Sequence, residues 1–219
     1  PSSARFCPAC GQPVETARSG ESDPTAGFSA GERKQVTILF ADFSGFTAFS
    51  DKRDAEEVRD HLSSLWARLD AVITAHGGMI EKHIGDAVMA VFGARQARED
   101  DPERAVRAAL AMQACLGQVP DGGPPSPLRM RIGVHTGLVV VGPLGATGEF
   151  AATGDTVNLA NRLEQRAPVG GVLISHDTYR QVQGLFDAQA LPPLSVKGKP
   201  DPVQTYLVLR AKPRGVALQ

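Results

Sequence analysis

Hydrophobic and polar positions change their period several times along this chain, and each change marks a new element. Residues 1–32 are rich in Ser, Gly, Thr, Glu and Pro and carry almost no apolar period, so they read as a linker with a small Cys-containing knuckle at its start. Val36-Thr37-Ile38-Leu39-Phe40 is a β-rich run and predicts a strand. Val58, Leu62, Leu65, Leu69, Val72 and Ile73 then recur at helical spacing within 55–75, and Gly77-Gly78 closes that helix. Two apolar runs, 79–84 and 87–92, flank Gly85-Asp86, which is a short hairpin signal. Asp101-Pro102-Glu103 places a capping carboxylate and an early proline ahead of a second helix over 105–116, where Val106, Leu110 and Ala114 share a side. Its acidic start is expected to cap the helix and to be solvated. After the Pro/Gly-rich stretch 120–127, the run 128–141 predicts a long strand broken by Gly133 and Gly137.

Strand, helix, hairpin, helix, strand is the order of an α+β domain with a ferredoxin-like split βαβ core, an antiparallel sheet with helices on one face. The C-terminal additions are a Gly-rich loop over 142–154, a helix over 155–166, a strand over 172–175 and a short helix near 177–182. A last strand pair is expected around 194–197 and 204–209. No internal repeat is visible. The division this suggests is a partial zinc knuckle and linker (1–32), a folded domain (33–210) and a tail (211–219).

Composition narrows the function classes. The chain has 219 residues, enough for one domain with a short extra segment, and its 42% hydrophobic content allows a proper core. With 23 Lys+Arg against 24 Asp+Glu there is no global basic field for nucleic acid or an anionic membrane. Neither a signal peptide nor an apolar run of membrane-spanning length occurs, and three cysteines make no disulfide framework, so the chain reads as cytoplasmic. Its start at Pro1 reads as that of a fragment.

In a split βαβ unit the end of the first strand and the hairpin tip share one edge of the sheet, which makes Asp42 and Asp86 neighbours. Two hard carboxylates there suit Mg²⁺ or Mn²⁺. The competing reading makes Asp42 a helix cap and Asp86 a turn residue. Cys7 and Cys10, in Cys7-Pro8-Ala9-Cys10-Gly11, supply half of a four-ligand Zn²⁺ site, whose other pair would lie upstream or on a second chain. A disordered segment is the alternative. No P-loop pattern occurs. His61, His76, His83, His135 and His176 have no metal-ligand spacing, so a surface position or core packing is the expectation for them, while Trp66 and Cys115 fall in apolar helical stripes and are expected in the core.

Wider motifs carry more. Phe40-Ala41-Asp42-Phe43-Ser44-Gly45-Phe46-Thr47, Lys82-His83-Ile84-Gly85-Asp86, Gly154-Asp155-Thr156-Val157-Asn158-Leu159-Ala160-Asn161-Arg162 and Val196-Lys197-Gly198-Lys199 follow in the order seen in class III nucleotidyl cyclases. The chain resembles that family's catalytic domain from about Arg33 to Leu209, most like bacterial adenylate cyclases that carry an N-terminal zinc ribbon. The resemblance implies attack of a ribose 3′-hydroxyl on the α-phosphorus of a nucleoside triphosphate, with two Mg²⁺ or Mn²⁺ ions per site. Asp42, Asp86 and the Phe43 backbone match its metal ligands, and the backbone from Phe43 through Ser44, Gly45 and Phe46 to Thr47 matches its phosphate cradle. Asn158 and Arg162, four apart on one helix face, match the residues that orient the ribose and stabilise charge on the α-phosphoryl group. Lys197 matches the lysine for the terminal phosphates, with Lys199 as the competing choice.

For the base, Lys82 matches the adenine-contacting lysine of adenylate cyclases, and its partner strand falls at Ala151 and Ala152. Alanine at 151, where those enzymes usually have Asp or Thr, leaves one discriminating hydrogen bond to backbone or water, and Thr153 could replace it only with a shifted loop. The resemblance thus implies an ATP-using adenylate cyclase, active as a homodimer and forming the output domain of a longer regulated protein. Guanylate or pyrimidine cyclases are the nearest alternatives. A silent nucleotide-binding module and a zinc-ribbon adaptor represent other classes.

Overall fold

A computed structural model of the chain describes residues 31–51, 53–117, 128–144, 149–196 and 200–213. The elements in chain order are β1 (Glu32–Ser44), α1 (Phe46–Ser50), α2 (Ala55–Ala75), β2 (Met79–Ile84), β3 (Ala87–Phe92), α3 (Asp101–Gly117), β4 (Arg129–Leu144), β5 (Glu149–Thr153), α4 (Asp155–Arg166), β6 (Val172–Ser175), α5 (His176–Val182), β7 (Phe186–Leu194) and β8 (Val203–Ala211). They build a sheet of order β2-β3-β1-β4-β6-β8-β7, with β5 paired to β4 off that row. Both β1 and β2 run antiparallel to β3, so they are parallel to each other with β3 between them, the split βαβ arrangement. One junction departs from an all-antiparallel sheet. β6 lies parallel to β4, because α4 intervenes and provides the crossover that parallel neighbours need.

Alternation along β1 explains how the sheet is covered. Leu39, Ala41 and Phe43 pack with Leu65, Leu69, Ile73, Val106 and Met112 of α2 and α3. Val36, Ile38 and Phe40 face the other way, toward Val139, Val141, Ala152 and Ala160. Helices therefore lie on both faces, α2 and α3 on one and α4 on the other. The approach of α4 depends on Gly133, where an added Cβ would stand 2.5 Å from the Ala160 carbonyl. A glycine that interrupts the strand's hydrophobic pattern is thus the place where helix and sheet meet.

Three local expectations need correction. The start of α3 is not solvated: Asp101 is 4% exposed, and its Oδ2 accepts from Arg98 N at 2.7 Å while Oδ1 pairs with Arg104 one turn on. That partner makes burial of the carboxylate tolerable. Within the expected Gly-rich loop, 149–153 forms β5, because β4 runs on to Leu144 and offers it an edge. The penultimate strand starts at Phe186 and stops at Leu194, earlier than expected. Pro192 and Pro193 obscure it in the sequence, but β7 is at the sheet's edge, where proline's missing N–H costs no ladder bond.

The packing expectation for several side chains agrees with their surroundings. Trp66 is 8% exposed against Phe43, with ring centroids 4.9 Å apart. His135 is buried on Ser175 Oγ at 2.7 Å, and His83 lies 3.2 Å from Asp70 with its ring edge-on to Trp66. Among the described residues no helix is long and apolar enough to cross a membrane.

Candidate active site

Antiparallel pairing decides which polar groups meet at the end of β1. Asp42 pairs with Ala87 on one side and with Arg131 on the other. The hairpin tip is tied to the same place, since Phe43 N donates to the Asp86 carbonyl at 3.2 Å. Asp42 and Asp86 are therefore brought together, and their charges interact. Burial, followed by repulsion from Asp86, raises the Asp42 carboxyl from 3.8 to about 6, with the Arg131 guanidinium partly offsetting both.

This donor set fits a hard divalent cation. A bound cation would offset the burial and the Asp86 charge that oppose ionisation of Asp42, and two carboxylates leave positions for water and phosphate oxygens. Among the described residues no group of three or more His, Cys, Asp or Glu side chains is arranged to hold a metal. Just past Asp42 the chain turns at Gly45, whose φ of 84° suits glycine, and enters α1 without a side-chain cap. Ser44 Oγ in that turn is buried with no hydrogen-bond partner. A turn with an orphaned hydroxyl and an uncapped helix start is suited to anionic oxygens.

Two charged neighbours were missed in the sequence. Arg131 is the guanidinium that acts on Asp42. Glu164, only 6% exposed, is raised to about 7, first by burial, then by Asp42, with Arg131 opposing and Asp86 adding to the rise. Their signals were present as charges at structurally awkward positions. Glu164 lies one turn after Ala160 on the buried side of α4, and Arg131 interrupts a strand buried on both faces.

Asn158 and Arg162 lie elsewhere on the chain. Both are exposed on α4 and line a shallow cavity of about 250 Å³ with Phe40, Val157, Asn161 and Gln165. Neither Asp42 nor Asp86 lines it. Lys197 and Lys199, like Cys7 and Cys10, lie outside the described residues.

The expected base-binding positions converge from distant strands. Lys82 is exposed on β2, while Ala151 and Ala152 lie on β5, and Ala152 N donates to Glu81 Oε2 at 3.3 Å. Thr153, exposed at the end of the same strand, donates its hydroxyl to the Val140 carbonyl at 3.4 Å.

Comparison with known proteins sets these groups in a family. Residues 28–210 match the Adenylate and Guanylate cyclase catalytic domain. Adenylate cyclase 1 of Rhizobium meliloti (strain 1021) is 35% identical over 204 residues, covering 90% of this chain and 31% of that protein. The chain therefore spans less than a third of that relative's length. Among solved structures, the adenylyl cyclase CyaB from P. aeruginosa superposes with a TM-score of 0.78 at 33% identity, covering 84% of this chain and 98% of that one. The guanylate cyclase domain of RhGC from Catenaria anguillulae, in complex with GTP, gives 0.75 at 32% identity, covering 83% and 100%. The match over most of the sequence, together with the shared fold, shows that this chain belongs to the adenylate and guanylate cyclase catalytic domain family.

Proposed function

We propose that the protein converts ATP to cyclic AMP and pyrophosphate. The observation that carries this reading is the convergence of Asp42 and Asp86 at one end of the sheet, beside a turn whose Ser44 hydroxyl is unsatisfied. The ribose 3′-oxygen forms a bond to the α-phosphorus, the bond from that phosphorus to the bridging oxygen breaks, pyrophosphate leaves, and the hydroxyl proton passes to solvent. Mg²⁺ or Mn²⁺, held by Asp42, Asp86 and the Phe43 carbonyl, would acidify the hydroxyl and offset charge on the triphosphate. The Phe43–Thr47 turn would cradle phosphate oxygens, with the Arg131 guanidinium close by. Lys197 would hold the terminal phosphates and Lys82 the base. Asn158 would orient the ribose, and Arg162 would stabilise charge gathering on the α-phosphoryl group.

The site would be assembled at a dimer interface, a reading supported by the cavity at Asn158 and Arg162, whose lining includes neither Asp42 nor Asp86. A second copy in two-fold relation would bring its Asn158 and Arg162 to this copy's carboxylates and complete two equivalent sites. Exposed Ile84, Leu138 and Val140, beside the hairpin tip and the β4–β5 ribbon, supply apolar surface for such a partner. The chain's small share of the Rhizobium relative supports the reading of an output domain within a longer regulated protein.

Guanylate cyclase activity is the second reading, favoured by one specific feature: Ala151 offers no side-chain acceptor to the adenine amine. Incubation with Mn²⁺ and each of ATP, GTP, CTP and UTP, followed by mass identification of the cyclic products, tests both. Cyclic AMP as the main product supports the first reading, cyclic GMP the second. Absence of any cyclic product would leave a silent nucleotide-binding module.

A further inference from the structure

Glu81 is out of character for its strand. Neighbouring residues in a regular strand point to opposite faces, yet Glu81 and Lys82 form an ion pair, with Oε1 and Nζ 3.2 Å apart. The register accounts for it. Ile80 pairs with Ala90 and Lys82 with Met89, so Glu81 is the extra residue of a β-bulge, a device that re-aims side chains. The Glu81 side chain is only 2% exposed and that of Lys82 is 51% exposed, so the lysine stands at the surface over a buried carboxylate. Oε2 accepts from Ala152 N at 3.3 Å, whereas Oε1 has the Lys82 ammonium close by but no aligned hydrogen bond. A carboxylate is costly to bury, and this one is held by two groups from separate strands.

We infer that Glu81 is a positioning residue for base recognition, whose buried carboxylate links the Lys82 ammonium on β2 to the Ala151-Ala152 edge of β5 and so sets the width of the purine pocket. The inference rests on the reading that Lys82 meets the base. With Ala151 unable to contribute a carboxylate, Glu81 supplies the negative charge that orients the lysine. It does so from beneath, without touching the nucleotide. Ala152 N–H, being spent on Glu81, points away from β4, so this bond ties β5 to β2 directly.

The test compares wild type, Glu81→Gln, Glu81→Asp, Lys82→Met and the Glu81→Gln/Lys82→Met double variant for kcat and KM with ATP and with GTP, beside thermal unfolding. Gln keeps an acceptor for Ala152 N–H but removes the charge facing Lys82. Its KM for ATP should rise about tenfold with kcat within about twofold, the pattern of lost ground-state binding remote from the reacting phosphorus. Its preference for ATP over GTP should shrink, its melting temperature should hold, and Glu81→Asp should restore part of the preference. The double variant should be no worse with ATP than Lys82→Met alone. An unchanged KM and ATP/GTP ratio in Glu81→Gln, while Lys82→Met alters both, overturns the positioning role and leaves the base-site reading standing. Equal effects of Glu81→Gln with and without Lys82 overturn it too, as does a fall in kcat for both nucleotides that tracks a lowered melting temperature. If Lys82→Met leaves the ratio untouched, the base-site reading fails and takes this inference with it.

Discussion

Replacing Glu164 by Gln should stabilise the protein above neutral pH, and the gain should vanish in acid. Glu164 is buried on the sheet-facing side of α4, and its carboxyl is raised from 4.5 to about 7 by burial, with Asp42 and Asp86 adding to the rise and Arg131 resisting it. A folded-state acid raised in this way binds its proton more tightly than the unfolded chain does, so folding becomes less favourable as pH rises from 4.5 through about 7. At 1.36 kcal/mol per pH unit the gap bounds the cost of ionised Glu164 at about 3 kcal/mol. Solvent at the open edge near Asp42 and Asp86 screens part of it, leaving about 1–2 kcal/mol. Gln keeps the shape and abolishes the charge. Urea unfolding of both proteins in EDTA should show the variant more stable by about that amount at pH 8, with the difference shrinking through pH 6 and absent below 4.5. Mn²⁺ should shrink it at pH 8, because a bound cation offsets the repulsion from Asp42 and Asp86. A variant less stable than wild type at pH 8, or a difference independent of pH, would refute the reasoning and imply that ionised Glu164 is fully compensated in the folded state.

Other expectations concern the carboxylate pair and the shared site. Asp42→Ala and Asp86→Ala should each abolish cyclisation with the fold intact, and Asp42→Ala should unfold no earlier than wild type above about pH 6, because it removes a carboxylate whose ionisation burial opposes; turnover beside thermal melts decides. Mn²⁺ affinity, followed by electron paramagnetic resonance without nucleotide, should weaken toward tenfold per pH unit below about 6, where a proton competes at Asp42; a flat profile from pH 7 to 5 would remove Asp42 from the metal site. Inactive Asp42→Ala mixed with inactive Arg162→Ala should regain activity, because one site of each mixed dimer receives both intact halves. Subunits that exchange, as seen by a tagged copy, in a mixture that stays inactive would place all the residues in one chain.

How much was legible depended on whether a signal is local. The helix over 55–75 and the two arms of the hairpin follow from the periodicity of Val58, Leu62, Leu65 and Leu69 and from the turn residues Gly85-Asp86, because side-chain period and turn chemistry act within a few residues. The split βαβ order then follows from the sequence of elements, and it already makes Asp42 and Asp86 neighbours. β5 and β7 were hidden because their support is not local. β5 exists where β4 extends far enough to pair with it, and β7 tolerates Pro192 and Pro193 where an edge leaves one side unpaired.

The site divides along the same line. Ordered motifs alone pointed to Asp42, Asp86, Lys82, Asn158 and Arg162 as candidates, since residue types and their spacing are properties of the chain. Tertiary structure alone put Arg131 and Glu164 around Asp42, set Glu81 beneath Lys82 against Ala152, and gave Asn158 and Arg162 a cavity that neither carboxylate lines. These are contacts between strands and helices far apart in sequence. Their burial and charge exist only once the sheet has closed, so no window of neighbouring residues contains them.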